Sequence, residues 1–129
     1  MSPTPFIACV EDDLHVSEAI KGLLEAYGFA VEAFASAEDF LESGRLTAAS
    51  CLITDVNLQG MSGLQLQDRL AAVGRSIPTI VITGFPDERV RAQALGAGAI
   101  GFLAKPIATE DLLTCVRAAM VRRPGEEMS

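Results

Sequence analysis

Four groups of polar residues each follow directly on a short apolar run: Glu11-Asp12-Asp13 after "FIACV", Asp55 after "CLIT", Thr83-Gly84 after "TIVI", and Lys105-Pro106 after "GFLA". If the runs end at one place, the acids crowd together, and at neutral pH they stay ionised only with a cation between them. Oxygen ligands without His or Cys suit Mg²⁺ or Mn²⁺, and Mg²⁺ typically takes one or two carboxylates, waters and a phosphate oxygen. The cluster lacks the carboxylate count and loop spacing of a calcium site. A Lys is a point charge suited to phosphate, and a Thr hydroxyl can donate to an oxyanion. A carboxylate such as Asp55 can serve as a nucleophile and form an aspartyl phosphate. Together these groups describe phosphoryl handling.

The elements that would position them can be read from the change of period along the chain. Phe6 to Val10 is a continuous apolar run, the mark of a strand buried on both faces. Val16, Ala19, Ile20, Leu23 and Leu24 then fall on one face of a helix stopped by Gly28. Ala30 to Phe34, broken by Glu32, reads as an edge strand, and Ser36 as the cap of a short helix carrying Phe40 and Leu41, ended by Gly44. Cys51 to Thr54 is a strand; Ser62 caps a helix with Leu66, Leu70 and Val73 inward, ended by Gly74. Pro78 opens a strand over Thr79 to Ile82, a helix follows around Asp87 to Leu95, and "AGAIGFL" holds a fifth strand through Leu103. Thr109 caps a last helix with Leu112, Leu113, Val116, Ala119 and Met120 inward.

Five strands alternating with five helices predict a doubly wound parallel α/β sheet with helices on both faces. Ligands of such sheets bind outside the C-terminal strand ends, where the winding reverses. The second strand delivers only Ala35 and Ser36 there. Strand order 2-1-3-4-5 gathers every polar strand end in one pocket and leaves the barren strand outermost; the distribution of polar groups favours it, although periodicity does not force it.

The composition bounds the rest. At 129 residues, half of them hydrophobic, the chain suits one domain: a tail at 1–5, the folded unit at 6–121 and a polar tail at 122–129 in which Arg122-Arg123 is helix-end charge. A formal charge of -7, with 10 basic against 17 acidic residues, argues against direct nucleic-acid binding by this domain. Cys9, Cys51 and Cys115 are odd in number, far apart and set among apolar neighbours, which fits small core residues in a reducing cytoplasm. No signal peptide or membrane span is expected. Asp13 reads as first-turn charge at a helix start, and His15, the sole histidine, as a surface residue beside it.

The chain resembles a response-regulator receiver domain of two-component signalling, with the CheY-like, flavodoxin-like (βα)5 fold. The residues carrying the resemblance are Glu11-Asp12 after "IACV", Asp55 in "LITDVNLQGMSG", Thr83-Gly84 in "IVITG", and Phe102 with Lys105-Pro106 in "GFLAKP", over about residues 5 to 121. The phrases "MSG", "IPTIVITG" and "AGAIGFLAKP" resemble the FixJ-like branch, whose members often carry a helix-turn-helix output domain; none is read within these 129 residues. The resemblance implies that Asp55 accepts a phosphoryl group from a phosphohistidine on a sensor histidine kinase. Glu11, Asp12, Asp55 and the backbone carbonyl of Asn57 would hold Mg²⁺. Lys105 would pair with the phosphoryl group, and Thr83 and Phe102 would switch the surface of helix four, strand five and helix five. It further implies a cis Lys105-Pro106 bond, a phosphorylation-dependent homodimer, control of an output such as transcription, and no enzymatic role beyond self-phosphorylation from small donors and autodephosphorylation.

Several positions depart from the commonest family pattern. Glu11-Asp12 stands where Asp-Asp is most frequent, Leu58-Gln59 where Met-Pro is usual, and Phe102 has no hydroxyl, so it can switch only by packing. Asn57 and Phe85 occupy positions that tune phosphoryl lifetime in the family. Two other functions compete. A phosphorylation-independent pseudo-receiver is expected to have lost the acceptor, an acid or the Lys, and all are present. An aspartyl-phosphate metal-dependent phosphohydrolase wants an acid two residues after its nucleophile, where Asn57 stands.

Overall fold

The computed structural model describes residues 5–121. The terminal segments expected as tails, apart from Pro5, and the Arg122-Arg123 pair lie outside the described residues. The elements run β1 (Phe6–Val10), α1 (Leu14–Ala26), β2 (Val31–Phe34), α2 (Ala37–Glu42), a short 3-10 turn (Leu46–Ala48), β3 (Ala49–Asp55), α3 (Gly63–Ala72), β4 (Thr79–Thr83), α4 (Glu88–Gly96), β5 (Gly101–Ala104) and α5 (Thr109–Val121). All strand pairs are parallel and the order is β2-β1-β3-β4-β5, as expected from the placement of the polar strand ends. The winding therefore reverses between β1 and β3. None of the described helices is long and apolar enough to cross a membrane.

The continuous apolar runs are explained by burial on both faces. Ile7, Cys9, Cys51, Ile53, Ile80 and Ile82 point to one side and pack under α1 and α5, against Ile20, Leu24, Leu112 and Val116. Phe6, Ala8, Val10 and Leu52 point to the other, against Phe40 of α2 and Leu66 and Leu70 of α3. A smaller third cluster joins Val56, Val81 and Ala99 to Ala94 of α4, with Phe102 packed on its margin. The helices are unequally held. Burying one large apolar side chain contributes roughly 1.5–3 kcal/mol; α5 buries Leu112, Leu113, Val116 and Ala119, whereas α4 buries Ala94 alone.

Local chemistry sets the helix starts. Ser62 makes a reciprocal capping box with Gln65, and the side chains of Ser36 and Asp87 accept N–H bonds at the starts of α2 and α4. Asp13 does more than supply first-turn charge: its carboxylate caps α1, accepting from His15 and Val16 at 2.9 and 3.3 Å, while His15 is exposed as expected. Other expectations are corrected. Thr109 is the first residue of α5 and the cap position falls on Ala108, whose carbonyl accepts from Leu112. Val73, expected inward, sits past the end of α3 and is 56% exposed, because the helix closes at Ala72. Ala19 also faces out; the buried stripe of α1 runs through Ser17, Ile20 and Leu24. β3 begins at Ala49, two residues before the apolar run, where it pairs with Phe6 across a register shift. β5 begins only at Gly101, since Ala97 still terminates α4.

One close approach fixes where α3 starts. A Cβ on Gly63 would collide with the carbonyl oxygen of Asp55 and stand 3.0 Å from its carbon, so only glycine lets the helix begin against the end of β3. Gly63→Ala is therefore expected to cost about 3 kcal/mol, the upper range for forced overpacking. Urea unfolding measures it; an unchanged midpoint would show that α3 can withdraw without loss.

Candidate functional site

Parallel register brings the polar strand ends to one rim. Val10 pairs with Thr54, Asp55 with Ile82 and Thr83 with Ala104, so Glu11, Asp55, Thr83 and Lys105 emerge side by side. One ligand oxygen from each of Glu11, Asp12 and Asp55 lies within 4.8 Å of the others; Glu11 and Asp55 are buried and Asp12 is exposed. The Lys105 ammonium reaches across the rim to within 2.7 Å of Asp55 Oδ2 and 2.8 Å of Glu11 Oε1. The Asp55 contact is a directed hydrogen bond. The Glu11 contact is an ion pair in which Oε1, fully enclosed, has no donor in hydrogen-bond alignment and so keeps accepting capacity.

Backbone amides hold the remaining oxygens in place. Asp13 N–H donates to Glu11 Oε2 at 3.0 Å, Asn57 N–H to Asp55 Oδ1 at 3.0 Å, and Gln59 N–H to Asp12 Oδ2 at 3.3 Å. The Thr83 hydroxyl accepts from Phe85 N–H at 3.0 Å, and the Thr83 carbonyl accepts from Lys105 N–H at 2.8 Å, tying the fourth and fifth strand ends together. The Lys105-Pro106 bond is cis.

The electrostatics follow from two buried acids sharing one ammonium. Burial raises the Glu11 carboxyl above the ordinary carboxylate range and the charge of Asp55 raises it further, against the opposing pull of Lys105 and the Asp13 N–H. Partial burial of Lys105 works to lower its pKa, but the close contacts with the Asp55 and Glu11 carboxylates prevail and hold it above the usual lysine value. Cys9 and Cys51, by contrast, are core thiols: burial pushes each up to about 12, so they carry no thiolate chemistry.

All the residues that the sequence singled out lie at this rim or beside it. Phe102 is half-buried under α4, in register with Val81, and Phe85 and Asn57 are exposed at the mouth. Three contributors are not legible in sequence spacing: the Asp13 N–H on Glu11, the Thr54 hydroxyl that donates to the Asp55 carbonyl at 3.1 Å, and Glu38. Glu38 accepts the N–H of Met61, 23 residues away, and nothing in the chain marks that partnership. A cavity of about 580 Å³ lies at the opposite end of the strands, near Ala49, Pro78 and Met120, and none of the described residues lining it is a carboxylate.

The oxygen-rich donor set fits a hard divalent cation. Three carboxylates converge with a single ammonium among them, one enclosed oxygen has no aligned donor, and no His or Cys intrudes among the described residues of the cluster.

Comparison with known proteins gives concordant matches. The family model for the response regulator receiver domain matches residues 7–117. The response regulator protein TmoT of Ectopseudomonas mendocina is 41% identical over 121 residues, spanning 94% of this chain and 55% of that protein. The transcriptional regulatory protein FixJ of Azorhizobium caulinodans is 38% identical over 113 residues, spanning 88% and 54%. The chain thus spans about half the length of these curated relatives. Among solved structures, response regulator StyR superposes with a TM-score of 0.88 at 35% identity, covering 98% of this chain and 64% of that one, and FixJ-N with 0.82 at 30%, covering 95% and 97%.

Removing the ammonium tests the electrostatic account. In the presence of a chelator, Lys105→Met leaves Glu11 and Asp55 facing each other, and breaking such a buried ionic set costs about 3 kcal/mol. Glu11 has a raised folded-state pKa, so the folded protein holds a proton that the unfolded chain has released, and this group's contribution falls as pH rises through that window. Loss of Lys105 carries the window upward. The ammonium's own contribution is fully present below its ordinary pKa. Urea unfolding should show a larger deficit at about pH 8 than at about pH 5; equal deficits refute the account.

Proposed function

The chain belongs to the response regulator receiver domain family, and from that premise we propose that Asp55 accepts a phosphoryl group from the phosphohistidine of a sensor histidine kinase in a cytoplasmic two-component system. Receiver domains interact with histidine kinases, are phosphorylated on an aspartate and generally bind Mg²⁺ at an acidic pocket. The single observation that carries the assignment is the Lys105 ammonium bridging Asp55 at 2.7 Å and Glu11 at 2.8 Å beside the exposed Asp12.

In the proposed transfer a carboxylate oxygen of Asp55 attacks phosphorus and the P–N bond to the donor imidazole breaks. The imidazole nitrogen leaves with the electron pair, and an acyl phosphate remains. Lys105 is placed to follow the new charge: an ammonium already held at Asp55 Oδ2 can pair with a phosphoryl oxygen with little reorganisation. Glu11, Asp12, Asp55 and the Asn57 backbone carbonyl would hold Mg²⁺ or Mn²⁺. When bound, the cation supplies charge neutralisation between the acceptor and the incoming phosphoryl oxygens. The longer Glu11 side chain brings an oxygen into the same 4.8 Å cluster, which supports a role equal to that of the shorter acid usual at its position.

The switch reading rests on Thr83 and Phe102. The Thr83 hydroxyl accepts from Phe85 N–H and keeps its own O–H to donate, so a shift of the side chain toward Asp55 would let it meet a phosphoryl oxygen. Its shift would free space toward the cluster on which Phe102 packs, and α4, whose one fully buried side chain is Ala94, is the helix that can follow. The altered surface of α4, β5 and α5 would promote homodimerisation and instruct an output, transcription in the relatives named as transcriptional regulators. Asn57 and Phe85, at the mouth, would set how long the phosphoryl group lasts.

Incubation with acetyl phosphate and Mg²⁺ should yield an acid-stable, base-labile phosphoryl adduct that is absent in Asp55→Asn and abolished by EDTA. No adduct on the native chain, or an undiminished one in Asp55→Asn, rejects the assignment and would favour a phosphorylation-independent interaction module. Turnover of phosphate esters by the native chain would instead point to a phosphohydrolase. Sedimentation with and without beryllofluoride and Mg²⁺ should show a mass increase on activation; identical mass rejects the dimer.

A further inference from the structure

The connection from β3 to α3, residues 56–62, is suspended from three side-chain carboxylates. Its backbone N–H groups at alternate positions donate to them in turn: Asn57 to Asp55, Gln59 to Asp12, and Met61 to Glu38 Oε2 at 2.9 Å. The first two carboxylates belong to the acidic cluster, but Glu38 comes from the first turn of α2. Gly60 makes this third hook possible. A Cβ at Gly60 would stand 2.7 Å from Glu38 Oε2, and its φ of +76° is a conformation that L side chains rarely adopt. The Met61 N–H holds the Glu38 carboxyl below the ordinary carboxylate range, so the hook engages the ionised form.

We propose that Glu38 is a positioning residue for the cation site: by holding Met61 N–H it fixes the loop that presents the Asn57 carbonyl. The proposal rests on the reading of Glu11, Asp12, Asp55 and Asn57 as a Mg²⁺ site. The division of labour follows from geometry. Asp12 and Asp55 hold the loop with the same carboxylates that face the cluster, so their hooks compete with any cation there. Glu38 has no such second task, and its hook persists when the other two are drawn away.

Mg²⁺ titration by calorimetry on the full chain tests this, with thermal melts as a check on folding. Glu38→Ala should weaken Mg²⁺ affinity about tenfold, and Glu38→Gln, whose amide oxygen still accepts from Met61, should stay within about threefold of wild type. The Met61 amide resonance should move in Glu38→Ala and stay in Glu38→Gln. Equal affinity in wild type and Glu38→Ala overturns the proposal, as does a Glu38→Gln defect matching that of Glu38→Ala. Should Glu38→Ala fail to fold, Gly60→Ala, which displaces the carboxylate by its new Cβ, must give the same weakening; unaltered affinity there overturns it too. Wild-type protein that takes no Mg²⁺ overturns the metal reading and this proposal together, whereas wild-type binding matched by Glu38→Ala overturns this proposal alone.

Discussion

Two buried carboxylates, Glu11 and Asp55, are kept within hydrogen-bonding distance of a single ammonium. Charges taken out of water are expensive unless paired, so the arrangement requires three strands to end level with one another. β1 and β3 must be adjacent for the acids to meet, and β5 must lie two strands away so that the lysine stem can cross the end of β4. Thr83 stands beneath that crossing, with its carbonyl on Lys105 N–H. The helices then serve the strands: the start of α1 sends an amide to Glu11, and α3 begins against the Asp55 carbonyl through the bare backbone of Gly63.

Much of this was legible from residue order because the physics is short-ranged. Buried parallel strands must be apolar throughout, so Phe6 to Val10 and Thr79 to Ile82 announce themselves, and the first polar residue after each run marks the rim. Ser62 could be placed by capping preference, whereas the need for glycine at position 63 shows only in the approach of α3 to the Asp55 carbonyl. What escaped depends on distances that no local pattern encodes. Val73 carries a helical spacing but falls beyond the closing turn of α3, and Ala19 is small enough to sit on either face of α1. Ala49 is recruited into β3 by pairing with Phe6 of β1 rather than by its own character, and Ser50 falls in the register shift before Cys51. At the site, the acids, Thr83 and Lys105 were identifiable because each ends a strand. Glu38 was not, since its role arises from where α2 lies beside a loop 23 residues onward.

The departure at Gln59 has a structural counterpart. A proline there would fix φ but bring no N–H; Gln59 instead donates to Asp12, so the loop is held through hydrogen bonds to carboxylates. Such a loop is sensitive to the charge state of its anchors in a way that a ring-stiffened one is not. A change of charge among the acids would therefore reach the backbone between β3 and α3 directly, through the Asn57 and Gln59 N–H groups.

The unequal anchoring of the helices also bears on how a protein of this design can diverge. Most of α4 faces outward: Arg89, Arg91, Ala92 and Gln93 are exposed, and Phe85 before it is 79% exposed. Substitutions at such positions usually alter stability by no more than about 0.5 kcal/mol. On the proposed reading, the residues that would meet partners are nearly free of any duty to the fold, while the acids and Lys105 are bound into it. The outward face of α4 can therefore change by drift, one side chain at a time, with the rim of acids and Lys105 left intact.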